Sequence, residues 1–205
     1  MYVPNYFSIE DNKVALEFIQ SHSFGMLLCN GTEQPEVTHL PFILKEEGKD
    51  VFLYTHLAKA NPHWKTIEME GNVLLIFTGP HGYISPSWYA NKTNVPTWNY
   101  TAVHVSGEAE LIHETELKRQ ILMSTIEFFE PSYIQHFEQL PEQYKSVMYT
   151  EIVGIKIRLT SIQTKFKLNQ NKTKEDISGV MEKLNALGNT ELAKMMLKFN
   201  QAKLS

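Results

Sequence analysis

Alternation of apolar and polar residues over long stretches predicts a mainly β protein with added α-structure: a mixed, antiparallel β-barrel with peripheral helices. Three observations carry this reading. Val153, Ile155, Ile157 and Leu159 recur at every second position, as on one buried face of a strand. Residues 24–55 hold apolar or alternating runs separated by Asn30-Gly31 and by Glu47-Gly48-Lys49-Asp50, the pattern of an antiparallel meander. Residues 99–112 alternate for long enough to form one long strand, or a bent pair with Gly107 at the bend.

Along the chain, Ser8 followed by Asp11 resembles a helix start, and Val14, Ala15, Phe18, Ile19 and His22 recur at helical spacing. Strands follow at 24–29, 36–44 and 51–55. The proline of His39-Leu40-Pro41 marks an edge or an interrupted ladder, because it has no N–H to donate. A helix is expected over 59–70, with Pro62 near its first turn and Gly71-Asn72 at its end. Residues 73–77 read as a fully apolar strand. Leu117, Ile121, Met123, Ile126 and Phe128 give 114–129 a helical pattern that Pro131 stops, and a weaker helix is expected at 141–149. A last long strand spans 153–168 and places Lys165 and Lys167 on one face. Thr173 and Asp176 form a capping box for a helix carrying Ile177, Val180, Met181, Leu184 and Leu187. Gly188-Asn189 separates it from a final helix at 190–203. The expected organisation is a barrel domain at 1–170 and a C-terminal helical extension at 171–205.

At 205 residues the chain can bury roughly 70% of its unfolded surface. Lysine and arginine number 19 against 23 acidic residues, a net charge of −4 with no long block of either sign. The broad positive field behind nonspecific DNA affinity is therefore missing, and direct DNA binding is doubtful. Cys29, the single cysteine, lies in an apolar run and reads as a buried small hydrophobe. With no intrachain disulfide possible, a reducing, cytoplasmic compartment is expected. The N-terminus lacks the basic-then-apolar pattern of a leader, and no run approaches the ~20 apolar residues of a membrane span.

The stretch from 81 to 107 is the most distinctive in the chain. Trp88, Tyr89, Trp98 and Tyr100 crowd together beside Pro80, Pro86 and Pro96. Flat apolar rings with polar tips on a proline-fixed backbone suit a planar, hydrogen-bonding ligand or a tight subunit interface. A second motif, His56-Leu57-Ala58-Lys59-Ala60-Asn61-Pro62-His63-Trp64, displays a cation, an amide and a proline at the end of a strand-like run. Together with His39-Leu40-Pro41, Pro96-Thr97-Trp98-Asn99-Tyr100 and Lys167-Leu168-Asn169-Gln170-Asn171, this motif resembles the PaiB-like family of FMN-binding negative transcriptional regulators. The resemblance runs from Met1 to about residue 185. Asn169 and Lys59 stand where the family more often carries Ser and Arg.

The resemblance implies the FMN-binding split β-barrel, an antiparallel Greek-key type of fold also found in pyridoxamine phosphate oxidases, with FMN at the interface of a homodimer. FMN needs cations, hydroxyls or amides for its phosphate, donors for its ring edge and flat walls for its ring. By resemblance His39, Leu40 and Pro41 line the flavin site; on spacing alone His39 reads rather as a hydrogen-bonded core or interface histidine. Lys59 is either a solvated lysine or, beside a helix start, a phosphate ligand. Thr55, His56, Ala60 and Asn61 flank it and offer a hydroxyl, amides and a side-chain amide, while Asn61 serves equally well as a helix cap. Trp98 and Asn99 give a wall and a donor to the ring, or an aromatic dimer interface. Lys167 and Gln170 reach a site whose other residues belong to a partner. No metal-ligand spacing, dinucleotide-binding glycine pattern or P-loop is present, and Ser85 and Ser87 lack the Gly-x-Ser-x-Gly elbow of a hydrolase. Two functions follow: a flavin-binding regulator that acts indirectly, or an FMN-dependent oxidoreductase acting on a small molecule. No residue stands out as a catalytic acid or base.

Overall fold

The two-residue alternation of the sequence becomes seven strands in a computed structural model, which describes residues 1–204. In chain order the elements are α1 (Asn12–Ser21), β1 (Phe24–Asn30), β2 (Pro35–Pro41), β3 (Ile43–Glu47), β4 (Asp50–Ala58), α2 (His63–Glu70), β5 (Asn72–Ile84) and β6 (Thr97–Ile112). They continue with α3 (Thr115–Phe129), α4 (Ile134–Gln139), α5 (Glu142–Thr150), β7 (Ile152–Lys167), α6 (Lys174–Ala186), α7 (Thr190–Phe199) and α8 (Gln201–Leu204). The chain divides into two compact units, one of residues 16–77 and 104–162, the other of residues 1–15, 78–103 and 163 onward.

The first unit contains residues from every strand, in the order β2-β1-β5-β6-β7-β4-β3. The pairs β1–β2, β1–β5, β3–β4 and β4–β7 are antiparallel. β2 is an end strand and stops at Pro41, which satisfies the expectation that this proline marks an edge. The expected strand at 36–44 is in fact two, because Phe42 turns away and donates its N–H to the Ser23 carbonyl at 2.8 Å. The Thr55 hydroxyl of β4 donates to the Pro41 carbonyl at 2.7 Å, tying the end of β2 to a strand near the opposite side of the order. That contact curls the sheet. Leu27, Leu53, Leu75, Phe77, Val105, Ile155 and Ile157 fill the interior with no exposed surface, and Phe42 meets Phe77 edge-on at 5.4 Å. α3, α4 and α5 are inserted between β6 and β7, and α4 is an element that the sequence pattern did not signal.

The second unit is built from the far ends of β5, β6 and β7 with α6, α7 and α8. β5 runs well past the expected 73–77, since Thr78–Gly82 keeps extended backbone without apolar alternation. Thr173 caps α6 as expected, accepting from the Asp176 N–H at 3.3 Å. The expected helix at 190–203 is broken at Asn200, whose amide donates to the carbonyls of Leu168 at 3.0 Å and Met196 at 2.8 Å. Phe166 and Phe199 pack edge-on at 4.9 Å beneath this join.

Gly107 lies inside the unbroken strand β6, and what it permits is close approach to β7. A Cβ there would stand 2.9 Å from the Arg158 carbonyl oxygen and 2.5 Å from a methyl of Ile157. Backbone cannot yield as a flexible side-chain tip can, so Gly107→Ala should destabilise the protein by about 1–3 kcal/mol, read as a lower urea midpoint at unchanged slope.

Candidate functional site

Eight of the twelve candidate residues lie in the first unit, grouped around the end of β4. β2 brings His39, Leu40 and Pro41 opposite Met26, Gly25 and Phe24 of β1. Leu40 is buried, whereas His39 is exposed and stacks on Phe24 at 6.2 Å and 26°. Thr55 and His56 face Ile155 and Gly154 of β7 in the ladder. Thr55 is buried by its bond to Pro41. The Nδ1 atom of His56 is buried with no hydrogen-bond partner among the described residues. Burial lowers its pKa below the ordinary 6.5, so the ring is neutral at pH 7.

Lys59, Ala60 and Asn61 form a turn, and α2 begins only at His63 rather than at 59. Pro62 occupies the N-cap position, where it has no amide N–H to leave unpaired. The Lys59 N–H donates to the Glu151 carbonyl at 2.8 Å, one residue past the pair of Ala58 with Ile152. The Lys59 carbonyl accepts from the Trp64 indole at 3.0 Å, and the Asn61 N–H donates to the Ala58 carbonyl at 2.9 Å. The Asn61 side chain works at both ends: Oδ1 accepts from the His63 N–H at 3.1 Å, and Nδ2 donates to the Thr38 hydroxyl at 3.2 Å. The first of these bonds satisfies the leading N–H of α2, the local role that the sequence offered beside ligand binding. The side chains of Lys59 and Ala60 are exposed, and Lys59 forms no ion pair among the described residues.

Behind this turn lies a network that the sequence pattern did not reveal. His63 Nδ1 is 2.7 Å from the Thr38 hydroxyl, and its Nε2 is 2.9 Å from the Cys29 sulfur. The protons close when Thr38 accepts from Asn61 and donates to Nδ1, leaving the His63 proton on Nε2, facing sulfur. Burial raises the Cys29 thiol to about 11, with Glu36 and Glu70 adding to the rise, and burial lowers His63. The pair is therefore thiol and neutral imidazole. Cys29 is buried, as expected, and serves as a hydrogen-bond partner as well as a small hydrophobe.

The other four candidates lie in the second unit. Trp98 is 48% exposed, with His81 stacked on it at 5.9 Å and 25° and Tyr83 edge-on at 6.3 Å. Asn99, its neighbour on β6, is fully buried, with Nδ2 3.6 Å from the Met196 sulfur and Oδ1 unpartnered among the described residues. Lys167 donates to the Thr97 hydroxyl, and burial, with Lys165 and Lys172, lowers its pKa. The Gln170 side chain closes a turn, accepting from the Leu168 N–H at 2.7 Å and donating to the Phe166 carbonyl at 2.5 Å. In that turn Asn169 adopts φ 66°, a left-handed conformation that asparagine tolerates better than most residues.

Chemically, the first group offers an exposed ammonium on a rigid turn, a neutral imidazole with an unused buried nitrogen, and the carbonyl edge of β2. This inventory suits a phosphate-bearing, hydrogen-bonding planar ligand. Among the described residues no three His, Cys, Asp or Glu side chains gather as a metal site. The antiparallel sheet, curled by the Thr55–Pro41 contact, defines a split-barrel type of fold.

The chain matches the family described as "Putative FMN-binding domain" over residues 1–161. It is 35% identical over 206 residues to the "Protease synthase and sporulation protein PAI 2" of Bacillus subtilis, covering 100% of this chain and 98% of that protein. An uncharacterised protein of Aspergillus fumigatus is 28% identical, covering 84% and 86% of the two chains. The fold is similar to that of the flavocytochrome Anf3 from Azotobacter vinelandii, at TM-score 0.63 and 18% identity over 80% of this chain and 72% of the other. It is also similar to the FAD and heme binding protein from Mycobacterium smegmatis, at TM-score 0.62 and 13% identity over 83% and 78%. The chain belongs to the FMN-binding domain family, with FMN as its cofactor. Its PaiB-like character and split-barrel fold are as the sequence resemblance implied.

The neutral histidines give a pH signature. Burial lowers the pKa of His56, His63 and His104 from 6.5, so below pH 6.5 the unfolded chain takes up protons that the folded chain refuses. This contribution to stability is present above pH 6.5 and is lost as pH falls towards the folded values. The depressed carboxylates Glu47 and Glu116 act only below their ordinary 4.5, outside that window. The melting temperature should therefore fall from pH 7 to pH 5, and His56→Gln should flatten the slope; an unchanged slope would contradict a neutral, buried His56.

Proposed function

We propose that the protein is an FMN-binding regulator whose flavin phosphate sits at the Lys59–Asn61 turn and whose regulatory output is indirect. The observation that carries this is the turn itself: backbone and Asn61 bonds hold it rigid while the Lys59 ammonium stays exposed and without an ion pair. A fixed cation recognises a phosphate with little ordering left to do. His39, Leu40 and Pro41 would border the ring edge, and Thr55, His56 and Ala60 the space between ring and phosphate. When bound, FMN supplies reversible redox chemistry, and the protein supplies position and polarity.

Several features favour binding over catalysis within this group. The Thr55 hydroxyl is already committed to Pro41, and His56 is held neutral by burial. In this reading Trp98, Asn99, Lys167 and Gln170 serve the site of a second copy of the chain, in a homodimer. The exposed Trp98, His81 and Tyr83 cluster supports an interface, since Trp and Tyr are enriched at such surfaces. The net charge of −4 supports regulation through a partner rather than through DNA contact. A single cysteine, which allows no intrachain disulfide, suits a reducing, cytoplasmic compartment. The PAI 2 relative is named for protease synthesis and sporulation, and a regulatory role for this chain rests on that name.

Fluorescence titration tests the phosphate assignment. Lys59→Ala should weaken FMN about ten- to a hundredfold and leave riboflavin nearly unaffected, as expected for loss of one charge-assisted contact. Equal loss for both flavins would remove Lys59 from the phosphate. Reduction of bound flavin by a nicotinamide donor with turnover would favour the oxidoreductase reading.

A further inference from the structure

Lys118 of α3 is a buried cation that the site described so far does not use. Only 7% of the residue is exposed, and its ammonium donates to the Ile152 carbonyl at 3.4 Å, at the long end of hydrogen bonding. Among the described residues it forms no ion pair. Lys145, the other buried lysine, differs: it is paired with Glu142 at 2.5 Å and donates to the Glu138 carbonyl at 3.0 Å. An uncompensated buried charge is destabilising, so its retention calls for a counter-charge that arrives from outside the chain.

Its position indicates which. Ile152 pairs with Ala58 at the end of the β4–β7 ladder, and the adjacent Glu151 carbonyl accepts the Lys59 N–H. The Lys118 ammonium and the Lys59 backbone N–H thus bond to consecutive carbonyls. Trp64, whose indole holds the Lys59 carbonyl, also meets His113 edge-on at 6.2 Å just before α3 begins. The start of α3 and the Lys59 turn are therefore held side by side. Burial lowers the Lys118 pKa, and the positive charge of Lys59 lowers it further.

We propose that Lys118 and Lys59 together form a two-cation seat for a phosphate monoester dianion, with Lys118 as the inner ligand that selects FMN over the unphosphorylated flavin. This rests on the reading of the Lys59 turn as the phosphate site. An inner and an outer cation match two negative charges, and the dianion replaces the counter-charge that Lys118 lacks.

The test is a set of flavin fluorescence titrations and thermal melts on wild type, Lys118→Met and Lys118→Arg. Lys118→Met should weaken FMN about ten- to a hundredfold with riboflavin little changed, while Lys118→Arg keeps most of the FMN preference. Lys118→Met should also melt at or above the wild-type temperature without flavin, because a bare charge has been removed. An unchanged FMN preference in Lys118→Met, or equal loss for both flavins, would overturn the inference and leave FMN binding itself standing. If the wild type binds neither flavin, the functional reading fails and inorganic phosphate decides the seat. A phosphate-induced rise in melting temperature at matched ionic strength that Lys118→Met loses supports it, and any other pattern overturns it. Should Lys118→Met give no cooperative melt, Lys118→Gln is measured in its place against the same outcomes.

Discussion

The site depends on the immobilised turn that follows β4. A four-residue connection carrying an exposed lysine would ordinarily sample many conformations, yet here Asn61 uses both ends of its amide, on His63 and on Thr38. Each such bond contributes about 0.5–1.5 kcal/mol net, enough in combination with the backbone bonds at 59 and 61 to hold one geometry. The β4–β7 register supplies the platform, since the Lys59 N–H extends the ladder one residue beyond its last strand pair. Position of the cation is therefore inherited from the sheet.

Polarity is arranged in two layers. Behind the turn, half-buried Thr38 and buried His63 and Cys29 form a chain in which every member is neutral, with the thiol held at about 11 by burial and nearby carboxylates. Neutral groups with satisfied protons can be buried at little cost, so this layer stiffens α2 and β1 without placing a charge in the interior. On the proposed reading, charge is kept for the layer that faces the phosphate, in Lys59 and in Lys118, the first solvated and the second buried.

Much of the fold was legible because strands and helices impose periodicities. The alternation at 153–159 became β7 and Thr173 became the cap of α6, while the run at 24–55 became two hairpins, β1–β2 and β3–β4, at opposite ends of the strand order rather than one meander. What escaped were features set by tertiary contact. β5 continues through Thr78–Gly82 on ladder bonds that composition does not advertise, and the last helix breaks where Asn200 reaches the Leu168 carbonyl. At the site, the motif around Lys59 and Asn61 stood out because cation, amide and proline occur together. The partners of His63 did not: Cys29 is 34 residues away and Thr38 is 25, and no spacing rule joins them. Lys118 was hidden for the same reason, since a lysine one turn into a helix reads as solvated until its burial is known.

The measurement that bears most directly on this account is sedimentation velocity of the protein with FMN, followed at the flavin absorption band. On the proposed reading the flavin signal sediments with a species of twice the 23.7 kDa chain mass, and added riboflavin does not displace it. Flavin absorbance that stays at the meniscus, or that travels with a stable monomer, would contradict a phosphate-anchored site completed by a second copy.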